Sequence, residues 1–322
     1  MTEPILIAEN LTKTFRVGGR FAPGGRQTIH ALSNVSLTVH SGETLGLVGE
    51  SGCGKSTLGR TLLKLYTPDS GRILFNGHDL TKMSERALRP LRAKMQMVFQ
   101  DPSASLNPRR RVGDLIAEPL RVHNYGDNAK IRARLEQLMH LVGLDPTYLT
   151  RFPHEFSGGQ RQRIGIARAI ALSPALIIAD EPVSALDVSI QAQIVNLMAD
   201  LQEQLDLTYI FIAHDLAVIR QAAERVAVMY LGTIVETGET DTVMLTPAHH
   251  YTAALISAVP EPNPATRRSR TILQGEPPSP ASPPPGCRFH TRCPAAQARC
   301  KTERPELRPY GSNREVACHF PV

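Results

Sequence analysis

The chain has 322 residues, enough for one large domain or a domain with a smaller companion. Hydrophobic residues make up 42% and charged residues 20%, so a packed core is expected, while no run approaches the roughly 18 consecutive apolar residues of a membrane helix. The formal charge is +6, and residues 261–322 hold ten Lys/Arg against five Asp/Glu, so the excess sits in the tail. With a nearly neutral body, no Trp and only 5% aromatics, neither charge nor base-stacking platforms point to nucleic acid as a partner. The N-terminus "MTEPILIAENLTKTF" has no basic region leading into an apolar stretch and a small-residue cleavage site. A cytoplasmic protein with reduced thiols is the expectation.

In chain order, short β-rich runs alternate with helical patterns over residues 1–258. The strand-like runs are "TLGLVGE" (44–50), "MQMVFQ" (95–100), "ALIIADE" (175–181), "TYIFIAHD" (208–215) and "VAVMYLG" (226–232). This alternation predicts an α/β fold with a largely parallel sheet. Residues of about 101–165 differ. "NAKIRARLEQLMHLVGL" sets Ile131, Leu135, Leu138 and Val142 at helical spacing, with Gly143 as a stop, and predicts a helical subdomain. After Val259 the composition turns to Pro and Ser. Residues 259–285 read as an extended linker, and 286–322 as a small cysteine-rich extension.

The first strand runs into "GESGCGKST", Gly49, Glu50, Ser51, Gly52, Cys53, Gly54, Lys55, Ser56 and Thr57, and a helical pattern follows. Glycines at this spacing let backbone N–H groups curl around phosphate oxygens, and the helix N-terminus adds positive potential. Lys55 supplies a cation for the β/γ-phosphates and Ser56 a hydroxyl for Mg²⁺. Cys53 reads either as a thiol activated by the helix start or as a small loop residue. Further on, "ALIIAD" ends at Asp180 and Glu181. An aspartate closing a buried strand near a phosphate loop holds Mg²⁺, and the adjacent glutamate is placed to activate water. "FSGGQRQR" puts Ser157, Gly158, Gly159 and Gln160 at the opening of a basic helix, a second anion-binding element. Two such elements in one chain make sense in a dimer, each closing over the partner's nucleotide.

Four of the five cysteines lie in the tail, spaced Cys287-x5-Cys293-x6-Cys300-x17-Cys318. Structural zinc sites contain tighter pairs, and the common ferredoxin spacings differ as well. The compartment disfavours disulfides, which leaves a four-thiolate metal site as the best physical reading, with the metal open. His290 and His319 are read as neighbours of the site. Arg288, Arg292, Arg299 and Lys301 are interleaved with the cysteines and read as charge compensation or as a solvated basic surface.

Taken together, these motifs resemble the ATP-binding subunit of ABC transporters, in order across residues 5–240. The resemblance implies an ABC-type P-loop ATPase core that hydrolyses ATP. Phe15 would stack on adenine, residues 49–57 form the Walker A loop, and Gln100 in "MVFQDP" the Q-loop that contributes to Mg²⁺. "FSGGQ" matches the signature with Phe in place of Leu; Asp180 is the Walker B aspartate and Glu181 the base. "SALD" ending at Asp187 is the D-loop, and His214 in "IAHD" senses the γ-phosphate. "MVFQDPSASLNPR", "DEPVSALDVSIQAQI", "HHYTAALISAVPEP" and the cysteine tail narrow the resemblance to the F-type ATPase of dipeptide and oligopeptide importers. That branch implies a head-to-tail dimer with itself or a D-type ATPase, two transmembrane permeases and an extracytoplasmic binding protein, with the ATPase peripheral on the cytoplasmic face of the membrane. It also implies a [4Fe-4S] cluster on Cys287, Cys293, Cys300 and Cys318. Another solute, such as nickel or glutathione, and a soluble non-transport ABC ATPase are the alternatives.

Overall fold

A computed structural model of the chain describes residues 3–18, 26–101, 105–258, 273 and 275–322. They fall into two compact units, one holding residues 3, 40–43 and 82–212, the other 4–39, 44–81 and 213–322.

The second unit begins with two long strands, β1 (Pro4–Val17) and β2 (Gln27–His40), followed by β3 (Thr44–Val48) and α1 (Lys55–Leu62). With β4 (Ser70–Phe75) and the short β5 (His78–Asp79), the first two strands form a sheet in the order β2-β1-β4-β5. Only part of each long strand is buried, so neither reads as a continuous apolar run. By contrast, every residue of β3 is buried.

The first unit contains α2 (Glu85–Arg92), β6 (Met95–Val98), α3 (Val112–Val122), α4 (Asn128–Leu141), α5 (Gly158–Ala169), β7 (Leu176–Asp180), α6 (Val188–Leu205) and β8 (Thr208–Ile212). Strands β6, β7 and β8 are parallel, with β7 in the middle and buried throughout, as its unbroken apolar run predicts. Helices α3, α4 and α5 lie within residues 112–169 of this unit. α4 starts on Asp127, whose carboxylate accepts the Lys130 N–H at 2.9 Å, and stops before Gly143 at φ +67°. Arg134 fastens α4 to the end of α5. Its buried guanidinium donates to the carbonyls of Ala171 and Ile170, both at 3.1 Å, just past the end of the helix, where the Ile170 carbonyl also accepts the Ser173 N–H at 3.0 Å.

The second unit resumes with α7 (Leu216–Ala222), β9 (Arg225–Tyr230), β10 (Thr233–Glu239), α8 (Thr240–Leu245), α9 (His250–Ala258), α10 (Ala298–Thr302), β11 (Arg308–Pro309) and β12 (Arg314–Val316). Its strands run β11-β12-β10-β9-β3, parallel between β3 and β9 and antiparallel elsewhere. The extension expected over 286–322 therefore continues the sheet of this unit through β12. Glu236 of β10 ties it further. Its buried carboxylate accepts the N–H groups of Ala248 (2.8 Å) and His249 (2.9 Å), with Arg314 of β12 at 3.7 Å. Of the expected linker, residues 259–272 and 274 lie outside the described residues. The rest is irregular and touches the unit where the His30 N–H donates to the Pro280 carbonyl at 2.9 Å. Among the described residues no helix is long and apolar enough to cross a membrane.

Candidate nucleotide site and cysteine segment

The phosphate loop joins β3 to α1. Two glycines dictate its curve. Gly49 has φ +153°, and a Cβ there would sit 2.1 Å from the Met229 carbonyl oxygen. Gly54 has φ +109°, and its Cβ would sit 2.4 Å from that of Ala31. No other residue fits either position. Gly54 is also the N-cap of α1, so Lys55, Ser56 and Thr57 form the first turn. The Lys55 ammonium is buried and donates to the carbonyls of Gly49 (2.7 Å) and Glu50 (3.0 Å), the loop it encloses. Cys53 is buried, and burial pushes its thiol up despite the nearby Lys55, so the loop residue is a packing group and not an activated nucleophile. Phe15 meets Tyr66 edge-on at 5.3 Å, with the Lys13 ammonium 5.3 Å from its ring centre. His214 belongs to the same unit as the loop. The N–H of its neighbour Ala213 donates to Leu47 of β3 at 3.1 Å, and Asp215 caps α7.

The remaining motif residues belong to the first unit. Asp180 is fully buried at the end of β7. Glu181 follows with φ +46°, a left-handed conformation that is strained for a glutamate and typical of functional positions. Its N–H donates to Ile212 of β8 at 2.9 Å, and its carboxylate accepts a 2.8 Å hydrogen bond from Gln100 Nε2. Two residues 81 apart in sequence, expected to serve water and Mg²⁺, thus meet side chain to side chain. Ser157 caps α5 in a reciprocal box with Gln160: the Gln160 N–H donates to Ser157 Oγ at 3.3 Å and the Ser157 N–H to Gln160 Oε1 at 3.0 Å. A Cβ on Gly159 would lie 2.6 Å from Ile190 Cγ2, so α5 and α6 approach closely there. Asp187 is the N-cap of α6, and Val188 beside it is 82% exposed.

The four tail cysteines line one small, mostly apolar cavity together with His249, Phe289 and Phe320. Among the described residues no three His, Cys, Asp or Glu groups converge as a single metal ion requires. The segment is nonetheless wound tightly: the Cys287 N–H donates to the Cys300 carbonyl at 2.9 Å, and Gly286 has φ +63° against that same carbonyl. Burial pushes the Cys287 thiol up to about 11 and raises Cys293 and Cys318. The cysteines also raise one another, which places the four groups within electrostatic reach of one another. His290 Nδ1 and His319 Nε2 pair with the carbonyls of Cys287 (2.8 Å) and Glu303 (3.0 Å).

Two of the arginines, Arg288 and Arg292, differ from both expectations for them. Arg292 forks onto Glu50 of the phosphate loop at 2.8 and 3.1 Å, and Arg288 donates to Ser33 Oγ at 2.7 Å and to the Leu231 carbonyl. Only Arg299, paired with Glu303, and Lys301 are surface groups. The motif reading also missed Tyr251, whose Oη accepts the Glu50 N–H at 2.8 Å, and Tyr66. Nothing in the local pattern of either marks it.

The family model described as "ABC transporter" matches residues 32–184, and "Oligopeptide/dipeptide transporter, C-terminal region" matches 235–300. The oligopeptide transport ATP-binding protein AppF of Bacillus subtilis is 51% identical over 99% of this chain and 98% of its own length. A probable peptide ABC transporter ATP-binding protein, y4tS of Sinorhizobium fredii, is 50% identical over 99% of the chain and 90% of its length. Among solved structures, a dimeric ATP-binding cassette in a post-hydrolysis state with ADP and Pi superimposes with a TM-score of 0.65. It is 29% identical and covers 73% of this chain and 98% of its own.

Proposed function

Since the chain belongs to the ABC transporter family, among its oligopeptide and peptide transport ATP-binding proteins, we propose that it powers uptake of di- and oligopeptides by hydrolysing ATP. Lys55 and the N–H groups of residues 49–57 bind the phosphates, and Phe15 takes the adenine. Ser56, Asp180 and Gln100 are the residues that would hold Mg²⁺, which would supply neutralisation of charge on the transferred phosphoryl group. Glu181 orients and deprotonates water, and His214 contacts the γ-phosphate.

Ser157, Gly158, Gly159, Gln160 and Asp187 act on the nucleotide of a second ATPase subunit, a further copy or a D-type partner, in a head-to-tail dimer. The dimer works on transmembrane permeases at the cytoplasmic face of the membrane, with an extracytoplasmic binding protein supplying the peptide. Cys287, Cys293, Cys300 and Cys318 would hold a [4Fe-4S] cluster, a reading supported by the one small cavity that all four line.

The observation that carries the enzymatic reading is Glu181, left-handed directly after a buried aspartate and hydrogen-bonded to Gln100. Glu181→Gln is expected to bind MgATP and lower turnover by at least about 100-fold, as loss of a general base does. Steady-state ATPase assays with nucleotide-retention measurements test it; normal hydrolysis in this variant would sink the assignment.

A further inference from the structure

Arg292 and Glu50 are 242 residues apart in sequence, one in the turn before Cys293 and the other inside the phosphate loop. Resting on the reading of residues 49–57 as an ATP site, we infer that Arg292 is a positioning residue for that site. It clamps Glu50 and neutralises a carboxylate carried by the very loop that receives a polyanion.

Three observations support the clamp. Both Nη atoms of Arg292 engage both carboxylate oxygens of Glu50, at 2.8 and 3.1 Å, the planar fork that a lysine cannot reproduce. The pair is withdrawn from solvent, with side-chain exposures of 7% for Arg292 and 27% for Glu50, so it escapes the screening that makes most surface pairs weak. The backbone of Glu50 is engaged as well. Its N–H donates to Tyr251 Oη at 2.8 Å, and its carbonyl accepts from Lys55 Nζ at 3.0 Å and from the Cys53 N–H at 3.3 Å. The clamp has a firm base. The Arg292 N–H donates to the Phe289 carbonyl at 3.0 Å, and the Phe289 ring packs against Tyr230 (5.2 Å) and Tyr251 (5.5 Å). Glu50 therefore reads the position of the cysteine segment directly. Removing Arg292 leaves a part-buried carboxylate unpaired in the loop, where phosphate must also bind.

The test is a charge cycle on the full-length protein kept from oxygen, with MgATP titrated by calorimetry into the parent, Arg292→Gln, Arg292→Lys, Glu50→Gln and the Arg292→Gln/Glu50→Gln double variant. Arg292→Gln is expected to weaken MgATP binding about tenfold, with Arg292→Lys intermediate. Glu50→Gln should lose no more than about threefold, and the double variant should return to the Glu50→Gln value. In ATPase assays Arg292→Gln should raise KM for ATP while kcat at saturation stays within about twofold. Iron content equal to the parent's separates the clamp from loss of a cluster. Arg292→Gln binding as the parent does overturns the inference. So does a double variant as weak as Arg292→Gln, because that marks damage to the turn and not an unpaired charge. A parent that fails to bind MgATP overturns the ATP reading itself, a result distinct from either.

Discussion

The phosphate loop and the cysteine segment present their binding groups by opposite means. In the loop the backbone is the ligand-binding surface, and its shape follows from two glycines whose Cβ positions are filled by the carbonyls of Met229 and Ala31. In the proposed cluster site the side chains would be the ligand-binding surface, gathered from positions 287 to 318 around one cavity. The difference sets what each tolerates. A backbone site survives many side-chain changes but no added Cβ at its tightest points; a thiolate site survives backbone variation but no loss of a sulfur. It also explains Cys53. The one cysteine of the loop is buried with its thiol pushed up, and it serves the packing of a backbone site.

The largest effect is expected where the backbone site is struck. Gly54→Ala demands a Cβ 2.4 Å from the Ala31 carbonyl at a φ of +109°. The loop must open, and MgATP affinity should fall by more than about 100-fold, as comparable misplacements of binding groups do. Fluorescence titration with a labelled ATP analogue measures it. Binding at the parent's affinity would break the distinction between the two regions.

The side-chain site is struck by Cys300→Ser, at the most buried of the four thiols whose burial differs by class. Without cluster ligation the raised thiol of Cys287 keeps its proton at neutral pH, so metal binding has to displace protons as well as organise turns. Cys300→Ser should lose most of its iron and sulfide and melt several degrees lower, whereas Cys53→Ser should keep its iron. Metal analysis and thermal melting of protein purified without oxygen read both. Zinc in place of iron and sulfide in the parent would overturn the cluster assignment.

The same contrast governs how much was legible beforehand. The strands β3, β7 and β8 are buried along their whole length and stand out as largely apolar runs. The phosphate loop, the Asp180–Glu181 pair and His214 each lie within a few residues of the end of one of them. Strands β1, β2 and β4 were not legible as strands, because they are half-buried and mix polar with apolar residues. β12 has only three residues and exists through pairing with β10. Local pattern carries no trace of Arg292 meeting Glu50, Tyr251 meeting the Glu50 N–H, or Gln100 meeting Glu181, since each pair is assembled by the fold across 81 to 242 residues. Cysteine spacing alone likewise could not choose a metal, because the ligands come from turns whose geometry depends on the sheet they join.

The smallest expected effect lies where the two regions adjoin. The ring of His249 packs 5.6 Å from Phe289 of the cysteine segment, and its Nδ1 accepts the N–H of Tyr251, the residue whose hydroxyl holds Glu50. An Nδ1 that accepts a hydrogen bond cannot carry a proton. Burial first, and then the charge of His250, push the ring down to about 3 from an ordinary 6.5. Between those values the unfolded chain binds a proton that the folded chain refuses, so stability rises with pH across the window and is lost as pH falls below 6.5. By pH 5 the loss from this group amounts to about 2 kcal/mol. Glu236 accepts the His249 N–H, and burial raises its carboxyl, so its contribution has the opposite sign: stability declines as pH rises above 4.5 through its folded value. The parent's own profile therefore mixes the two, and the difference from His249→Asn isolates the ring. Asparagine keeps an acceptor near Nδ1 and has no proton to take. Denaturant titrations at pH 7 and pH 5 should show the parent losing about 2 kcal/mol more than His249→Asn between the two. Equal losses would mean that the imidazole is free to protonate in place, and that the contact between the cysteine segment and the loop is looser than this geometry makes it.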